Sequence, residues 1–418
     1  MTAGPQVDHR VDCGRLELGG GLEVLLTAAL ERVPHGGVLE ISTPSRGVAL
    51  ELPGWARAAG HAVVGEARAD GAWTVLVRRG ASARILAGPL PDARDAPPLR
   101  AGGELHTADW RGGAPPPAHP DPSAGFAPLG SVPERRESSY HWSLSDRDRV
   151  WADDVGELAE QASAQGWDAS RDVPWEAAHG LRPDTERAVA QVMTFLAQNE
   201  YAALYVPAGF LPHVNPQLTE LLLWLGSHVH DEARHIEVFT KRSLIGGQAG
   251  YALASTELSL QTLLEERDFT ASSLLLNVLG EGTFLDLLKF LAERAPDAAS
   301  ATAARLAHRD ERRHVHFGVS HIRRAMTLDP DLRGALVAAA ERRADRLASL
   351  SGLSPVLTEA LVVMTAASMQ PAELAEAAGG VRDLMATMER NRLRRLVACG
   401  FDEATARHLS DLHTPNLM

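Results

Sequence analysis

Two copies of one five-residue pattern, Asp-Glu-x-Arg-His, contain residue types that bind transition metals. The copies are Asp231-Glu232-Ala233-Arg234-His235 and Asp310-Glu311-Arg312-Arg313-His314. On a helix, a Glu and a His three residues apart differ by about 60° in direction and about 4.5 Å in rise, so both reach one ion or two neighbouring ions. The two motifs therefore predict four metal ligands, namely Glu232, His235, Glu311 and His314.

The other residues of each motif can hold the imidazoles in place. Asp231 and Asp310 each lie four residues before a histidine, on the same side of the helix. Each Asp can accept a hydrogen bond from the ligating histidine of the opposite helix and so fix its tautomer. Arg234 and Arg313 can pair with these aspartates. Taken alone, either motif has a simpler explanation as a charged helix face in solvent.

Two further glutamates lie in apolar segments, where a carboxylate is costly unless a cation or hydrogen bonds compensate it. Glu200 follows several apolar residues, and Glu281 lies in the mostly apolar stretch 274–288. Glu281 precedes Pro296 by 15 residues and Glu311 follows it by 15. An antiparallel hairpin that turns at Pro296 would place both carboxylates at one height. Glu200 and Glu281 therefore complete a predicted set of four carboxylates and two imidazoles.

Two other candidates stand outside this set. His228, four residues before Glu232, shares its helix face and is a candidate extra ligand; the alternative is a hydrogen-bonded histidine in the core. A third Glu-x-x-His, from Glu176 to His179, lacks the Asp and Arg positions and has no long helix around it. We interpret this third copy as a chance occurrence.

From Tyr140 onward the apolar residues recur at helical spacing, and the helices predicted from that spacing position the candidate ligands. Four long helices are predicted, at 183–206, 217–243, 268–294 and 298–326. A shorter helix is predicted at 251–266, and further helices over 330–410 with ends at Gly379-Gly380 and at Gly400. The prediction is thus a core bundle at 183–326 with a C-terminal helical extension at 330–418.

The ligand order in residues 183–326 resembles the ferritin-like di-iron carboxylate superfamily. The pentapeptides are most similar to its oxygen-activating branch, the bacterial multicomponent monooxygenases and the small subunits of ribonucleotide reductase. The stretch from Trp167 to Trp175 and the ending LSDLHTPNLM resemble stand-alone ferritin-like oxygenases. The resemblance implies a four-helix bundle that holds two iron ions, with manganese–iron also allowed, and uses O₂ as co-substrate.

The function that this resemblance implies is a di-iron oxygenase or oxidase, such as a monooxygenase. It would hydroxylate carbon, or oxidise nitrogen or sulfur, in a small organic substrate. A separate reductase would supply electrons, because two cysteines cannot hold a Cys₄ cluster and the chain has no flavin motif. Alternatives are a ferroxidase or peroxide-scavenging protein, and a sulfur-relay partner with a secondary metal site. Helical spacing predicts an apolar wall of Leu196, Ala203, Leu204, Ile236, Phe239, Val278 and Leu285.

Residues 1–80 have the pattern of a small α/β unit. Helices are predicted at 22–30 and 48–60, and strands at 37–43, 61–68 and 72–79. Through Gly37-Val38-Leu39-Glu40-Ile41 and Leu52-Pro53-Gly54-Trp55, this unit resembles the TusA/SirA-like sulfur carriers. The family's Cys-Pro pair is replaced by Leu18-Gly19, and Cys13 lies about five residues too early. A degenerate docking or scaffold domain is therefore favoured over persulfide chemistry.

Composition supports a two-domain α+β chain of 418 residues with 45% hydrophobic residues. Eleven of the 25 prolines lie between Pro89 and Pro133, which predicts a linker at 81–135 between a domain at 1–80 and a ferritin-like domain at 136–418. The net charge of -13 argues against nucleic-acid binding. No apolar stretch approaches the ~20 residues of a membrane span, and there is no secretory signal. We expect a cytoplasmic protein, with a homodimer allowed.

Overall fold

The computed structural model describes residues 6–80, 103–129, 131, 140–348 and 354–413. Contacts divide the chain into two compact units, one containing a four-stranded sheet and the other containing the helices from Val155 onward. The expectation of a mixed α+β chain with a helical bundle is therefore confirmed. The boundaries of the domains at 1–80 and 136–418 stay a prediction.

The sheet unit contains the predicted helices and strands in the predicted order, preceded by a strand at His9–Asp12 that was not predicted. The elements are β1 His9–Asp12, α1 Leu22–Glu31, β2 Val38–Thr43, α2 Arg46–Ala58, β3 Ala62–Ala69 and β4 Ala72–Arg78. The strand order is β1-β2-β4-β3, with β1 parallel to β2 and the other pairs antiparallel. Leu26, Leu39, Ile41 and Leu52 are fully buried between the helices and the sheet. The resemblance to sulfur carriers stays a prediction.

Cys13 belongs to the core of the sheet unit. Its side chain is 2% exposed, and burial, with the nearby charge of Asp12, raises the pKa of its thiol to about 11. A thiol with this pKa is almost entirely protonated at neutral pH and is a poor nucleophile. The buried environment favours the structural interpretation of Cys13.

The second unit consists of helices joined by short connections. They are α3 Val155–Ala164, α4 Pro183–Phe210, α5 Thr219–Leu244, α6 Ala254–Leu264, α7 Phe269–Ser273, a π-helix Leu274–Glu281, α8 Gly282–Arg294, α9 Ala298–Leu328, α10 Leu332–Leu347, α11 Pro355–Thr365, α12 Pro371–Ala398 and α13 Glu403–His413. Gly400, at φ +104°, follows α12 as predicted. The predicted end at Gly379-Gly380 is wrong, since both glycines lie inside α12. The helix continues past both glycines because the turns that follow bury Val381, Leu384 and Met388.

The predicted third long helix, 268–294, is interrupted by a π-helix between α7 and α8. Its last residue is Glu281, and Asn277, four residues earlier, donates to Glu281 Oε2 at 2.8 Å. Helix α9 approaches this segment closely, because a Cβ added at Gly318 would lie 2.6 Å from the Cβ of Asn277. The π-helix therefore positions Glu281 against α9.

A buried charge network fixes one end of the bundle. The Arg242 guanidinium, near the end of α5, donates to Glu186 in the first turn of α4 at 2.6 Å. It also donates to Asp297 at 3.0 Å and to the hydroxyl of Ser300 at 2.8 Å. Asp297 caps α9 by accepting from the backbone N–H of Ser300. One side chain thus fixes the relative positions of α4, α5 and α9.

Part of the predicted linker 81–135 packs against the helical unit. A short 3₁₀ helix, Thr107–Arg111, ends in a side chain that donates to Glu220 of α5 at 2.7 Å. Residues 81–102, 130 and 132–135 lie outside the described residues, so the linker as a whole stays a prediction. Among the described helices, none combines the length and apolarity that crossing a membrane requires.

Candidate metal centre

Four helical segments bring the six predicted ligands into one buried cluster. Each ligand is at most 4% exposed. Glu232 of α5 lies at the centre, with its Oε1 2.9 Å from His314 Nδ1 and its Oε2 3.1 Å from His235 Nδ1. Glu311 Oε1 of α9 lies 3.4 Å from the same nitrogen of His235. The Glu and His side chains of the two motifs therefore face one another across the α5–α9 interface.

The donor atoms form two overlapping groups that could each hold a metal ion. One group is Glu200, Glu232, His235 and Glu311. The other is His228, Glu232, Glu281 and His314. Within each group the candidate ligand atoms lie within 4.8 Å of one another. Glu232 belongs to both groups, as a carboxylate that bridges two ions would, and the second group includes His228, the candidate extra ligand.

The Asp and Arg residues of the two motifs lie just outside the ligands and cross between helices. Asp231 Oδ2 is 3.3 Å from His314 Nε2, and Asp310 Oδ2 is 3.4 Å from His235 Nε2. Arg313 donates to both aspartates at 2.8 Å. Arg234 donates to Asp310 at 3.2 Å and also to Asp231. When Nε2–H of each imidazole donates to an aspartate, the Nδ1 lone pair points at the carboxylate cluster.

Two residues that support the site were not predicted from the sequence. Trp167 Nε1 donates to Asp310 Oδ2 at 2.6 Å, and the Trp167 ring stacks on His235 at 6.3 Å between centroids. Trp167 comes from the loop after α3, so no helical periodicity could reveal it. Asn277, which donates to Glu281, could have been found, because four residues separate the two on the same segment.

Two buried carboxylate oxygens indicate that this cluster fits cations. Within the described residues, Glu200 Oε1 and Glu232 Oε1 have no hydrogen-bond partner, although both are shielded from solvent. Such oxygens are strongly destabilising unless positive charge compensates them. Four carboxylates carry the charge that two divalent ions neutralise, while the two Asp–Arg pairs sum to zero. The buried groups predicted to bind two metal ions are therefore present and converge.

The pKa shifts show how strongly the cluster attracts positive charge. Burial opposes ionisation of Glu232, but the charges of His235 and His314 outweigh it and hold the pKa of Glu232 well below its usual value. Burial lowers the pKa of the His235 and His314 imidazoles, but the charge of Glu232 raises it. The net effect is a pKa well above the usual value for each. Burial and the charge of Glu232 raise the pKa of Glu200. Metal ions bound here must displace the protons that otherwise balance these carboxylates.

A cavity that is partly open to solvent adjoins the Glu200, Glu281 and Glu311 side of the cluster. Apart from these acids, its wall is mainly apolar, with Ala203, Leu260, Leu276 and Phe284 among its residues and with Asn199 and Arg343 as further polar residues. Of the wall residues predicted from helical spacing, Ala203 lines this cavity and the other six do not. From the π-helix, the wall contains Leu276 and Gly280 in place of the predicted Val278.

No family model matches the chain, and no curated protein sequence matches it. Solved structures similar to it include two variants of an R2-like ligand-binding oxidase with an aerobically reconstituted Mn/Fe cofactor. One is 15% identical with a TM-score of 0.41 and covers 62% of this chain and 90% of that chain. The other is 16% identical with a TM-score of 0.41 and covers 62% and 94%. Similarity at this level carries no argument about this chain, so conclusions about the site rest on its own residues.

Proposed function

We propose that this protein is an O₂-activating non-haem dimetal oxidoreductase that oxidises a small, largely apolar organic molecule. The observation that carries the proposal is the pair of overlapping ligand groups that share Glu232 beside an apolar cavity. Glu200, Glu232, His235, Glu281, Glu311 and His314 would hold the two ions. Carboxylate and imidazole ligands suit iron, and also manganese paired with iron.

The bound ions would supply the redox chemistry with O₂ that protein side chains lack. The chain's own residues orient the ligands and control access. Asp231 and Asp310 hold the Nε2 atoms of the two imidazoles, which directs Nδ1 at the carboxylates. Asn277 and His228 contact the two oxygens of Glu281, at 2.8 Å and 3.1 Å. The ligands are therefore held in position before any ion arrives.

The cavity supports an organic substrate. Leu260, Leu276 and Phe284 would exclude water from the side of the cluster where Glu200 and Glu281 reach the cavity. The apolar wall favours a molecule with a hydrocarbon body. Carbon hydroxylation and oxidation at nitrogen or sulfur are both compatible with this wall. Electrons would come from a separate reductase protein.

The test is O₂ consumption by the iron-loaded and the manganese–iron-loaded protein with a panel of small apolar compounds and a reductant. We expect O₂ uptake that rises with one class of compound and yields a matching oxidised product by mass spectrometry. Uptake that follows added Fe²⁺ alone, without an organic product, would instead identify a ferroxidase and contradict the proposal.

A cavity variant separates substrate binding from metal binding. Ala203→Leu fills space in the wall without removing a ligand, so we expect two metal ions per chain but a substrate-dependent O₂ uptake lowered by about tenfold or more. The matched control is Ala202→Ser, a small change at the neighbouring wall position. Unaltered uptake in Ala203→Leu with every compound would show that this cavity does not receive the substrate.

A further inference from the structure

His228 lies inside the ligand cluster. It is one helical turn before Glu232 on α5 and is 2% exposed. Its Nε2 is 3.1 Å from Glu281 Oε1 and 3.3 Å from Glu232 Oε1. Its ring stacks on the ring of His314 with 3.8 Å between centroids. The imidazole therefore faces the same point as three of the predicted ligands.

The contacts at this point are those of a cation site. His314 Nδ1 and His228 Nε2 both approach Glu232 Oε1, at 2.9 Å and 3.3 Å. That oxygen nevertheless has no hydrogen-bond partner in the described part of the chain. His228 Nε2 also lies 3.1 Å from Glu281 Oε1, so one imidazole nitrogen faces two buried carboxylates. The single hydrogen of an Nε2–H group cannot compensate both carboxylates, whereas a cation bound between these groups can.

The two Asp-Glu-x-Arg-His helices differ in the residue four positions before the glutamate. Ala307 lies four residues before Glu311 on α9, where His228 lies four residues before Glu232 on α5. Ala307 is fully buried and has no donor atom. The group around Glu281 therefore offers two imidazoles and two carboxylates, while the group around Glu200 offers one imidazole and three carboxylates.

From this asymmetry we propose that His228 is a seventh metal ligand and makes its position selective for iron. The inference rests on the proposed dimetal site. Imidazole favours iron over manganese, and carboxylate oxygen is the ligand that suits manganese. The position with His228 and His314 takes iron, and the position with Glu200 and Glu311 accepts manganese or iron.

The experiment is reconstitution of metal-free, full-length protein with equimolar Mn²⁺ and Fe²⁺ in the absence of O₂. Manganese and iron per chain are measured by elemental mass spectrometry, and anomalous diffraction at the two absorption edges assigns them to each position. In the wild type we expect iron, bonded to His228, at the position that contains His228. At the position that contains Glu200 we expect both manganese and iron. In His228→Gln we expect the Mn:Fe ratio at the first of these positions to rise about tenfold.

The matched control is His321→Gln, which changes a buried histidine of α9 outside both ligand groups and should leave the metal distribution unchanged. Equal Mn:Fe ratios at the two wild-type positions, or an ion at that position to which His228 is not bonded, would overturn the inference. Because these two results come from the wild type, they remain decisive if His228→Gln does not fold. Protein that takes up no metal would instead refute the proposed function itself.

Discussion

Glu232 is the side chain on which the candidate centre depends most. It is fully buried, it belongs to both ligand groups, and both imidazoles direct Nδ1 at its two oxygens. Removal of any other carboxylate would deprive one position of a ligand. Removal of Glu232 deprives both positions at once and leaves His235 and His314 without the charge that raises their pKa values.

We therefore expect Glu232→Ala to reduce metal content from two ions per chain to nearly none. The measurement is iron and manganese per chain after reconstitution and removal of loosely bound metal. Glu176→Ala is the control, because Glu176 belongs to the third Glu-x-x-His and is exposed on a short 3₁₀ helix. Two ions retained by Glu232→Ala would disprove the ligand assignment.

His321 allows a prediction of pH dependence away from the metal ligands. It is fully buried, with Nδ1 3.0 Å from the carbonyl of Trp151 and Nε2 3.0 Å from the hydroxyl of Thr270. Burial lowers its pKa to about 4. The unfolded chain therefore binds this proton more tightly, so stability is full above the unfolded pKa of about 6.5 and is lost as pH falls towards 4.

Between about pH 7 and about pH 4.5, this one group should lower the free energy of unfolding by about 2 kcal/mol. We expect His321→Gln to lose that much less stability over the same interval, measured by urea denaturation with a chelator present. A variant whose pH dependence matches the wild type would show that the pKa of His321 is the same in the folded and unfolded chain.

The ligands could be predicted from the sequence because the spacing of Glu and His on a helix fixes their shared face. Glu281 could be predicted because a carboxylate among apolar neighbours requires a compensating cation or hydrogen bonds. Trp167 could not, because its bond to Asp310 joins residues 143 positions apart that only the folded chain brings together. The inclusion of His228 likewise depended on distances to Glu281 and His314 across the bundle.

At the level of elements, the π-helix Leu274–Glu281 is the feature that determines how Glu281 meets α9. Helical periodicity in the sequence predicted one continuous helix. Most residues of this segment are apolar, so a change from α-helical to π-helical spacing leaves the apolar pattern unaltered. The four-helix core could be predicted, but the cavity wall could not, because it includes Leu260 of α6, outside the four long helices, and Leu276 and Gly280 of the π-helix. Close packing of Gly318 against Asn277 accompanies this geometry.

We expect Gly318→Ala to destabilise the protein by about 1–3 kcal/mol, because the new Cβ would lie 2.6 Å from the Cβ of Asn277. The displaced Asn277 should also hold Glu281 less well and weaken metal uptake. Gly226→Ala is the control within α5, where an added Cβ meets no atom within 4 Å. That change should stabilise by up to about 1 kcal/mol. Equal stabilities of the two variants would contradict the proposed close contact.

At the scale of the whole molecule, each of the two compact units contains one buried cysteine. Cys13 lies in the sheet unit and Cys399 follows α12 in the helical unit. Burial raises the pKa of Cys13 to about 11 and that of Cys399 to about 12. Neither thiol is therefore suited to sulfur transfer in the folded chain.

We expect both thiols to resist iodoacetamide in the native protein near neutral pH and to react fully in denaturant, as counted by intact-mass spectrometry. Cys13→Ser should leave metal content and O₂ uptake unchanged. Rapid native alkylation of Cys13, or loss of O₂ uptake in Cys13→Ser, would revive the sulfur-relay alternative.

The buried guanidinium of Arg242 has a consequence for how the bundle opens. Because it joins Glu186, Asp297 and Ser300, the first turn of α4 and the first turn of α9 cannot fray separately without leaving a charge stranded in the interior. Helix ends ordinarily exchange their amide hydrogens quickly through local fluctuations. Here the first backbone-bonded amides of the two helices, those of Glu186 and Ala301, should exchange as slowly as the centre of the bundle, so that the structure opens cooperatively from an end that would otherwise be its weakest point.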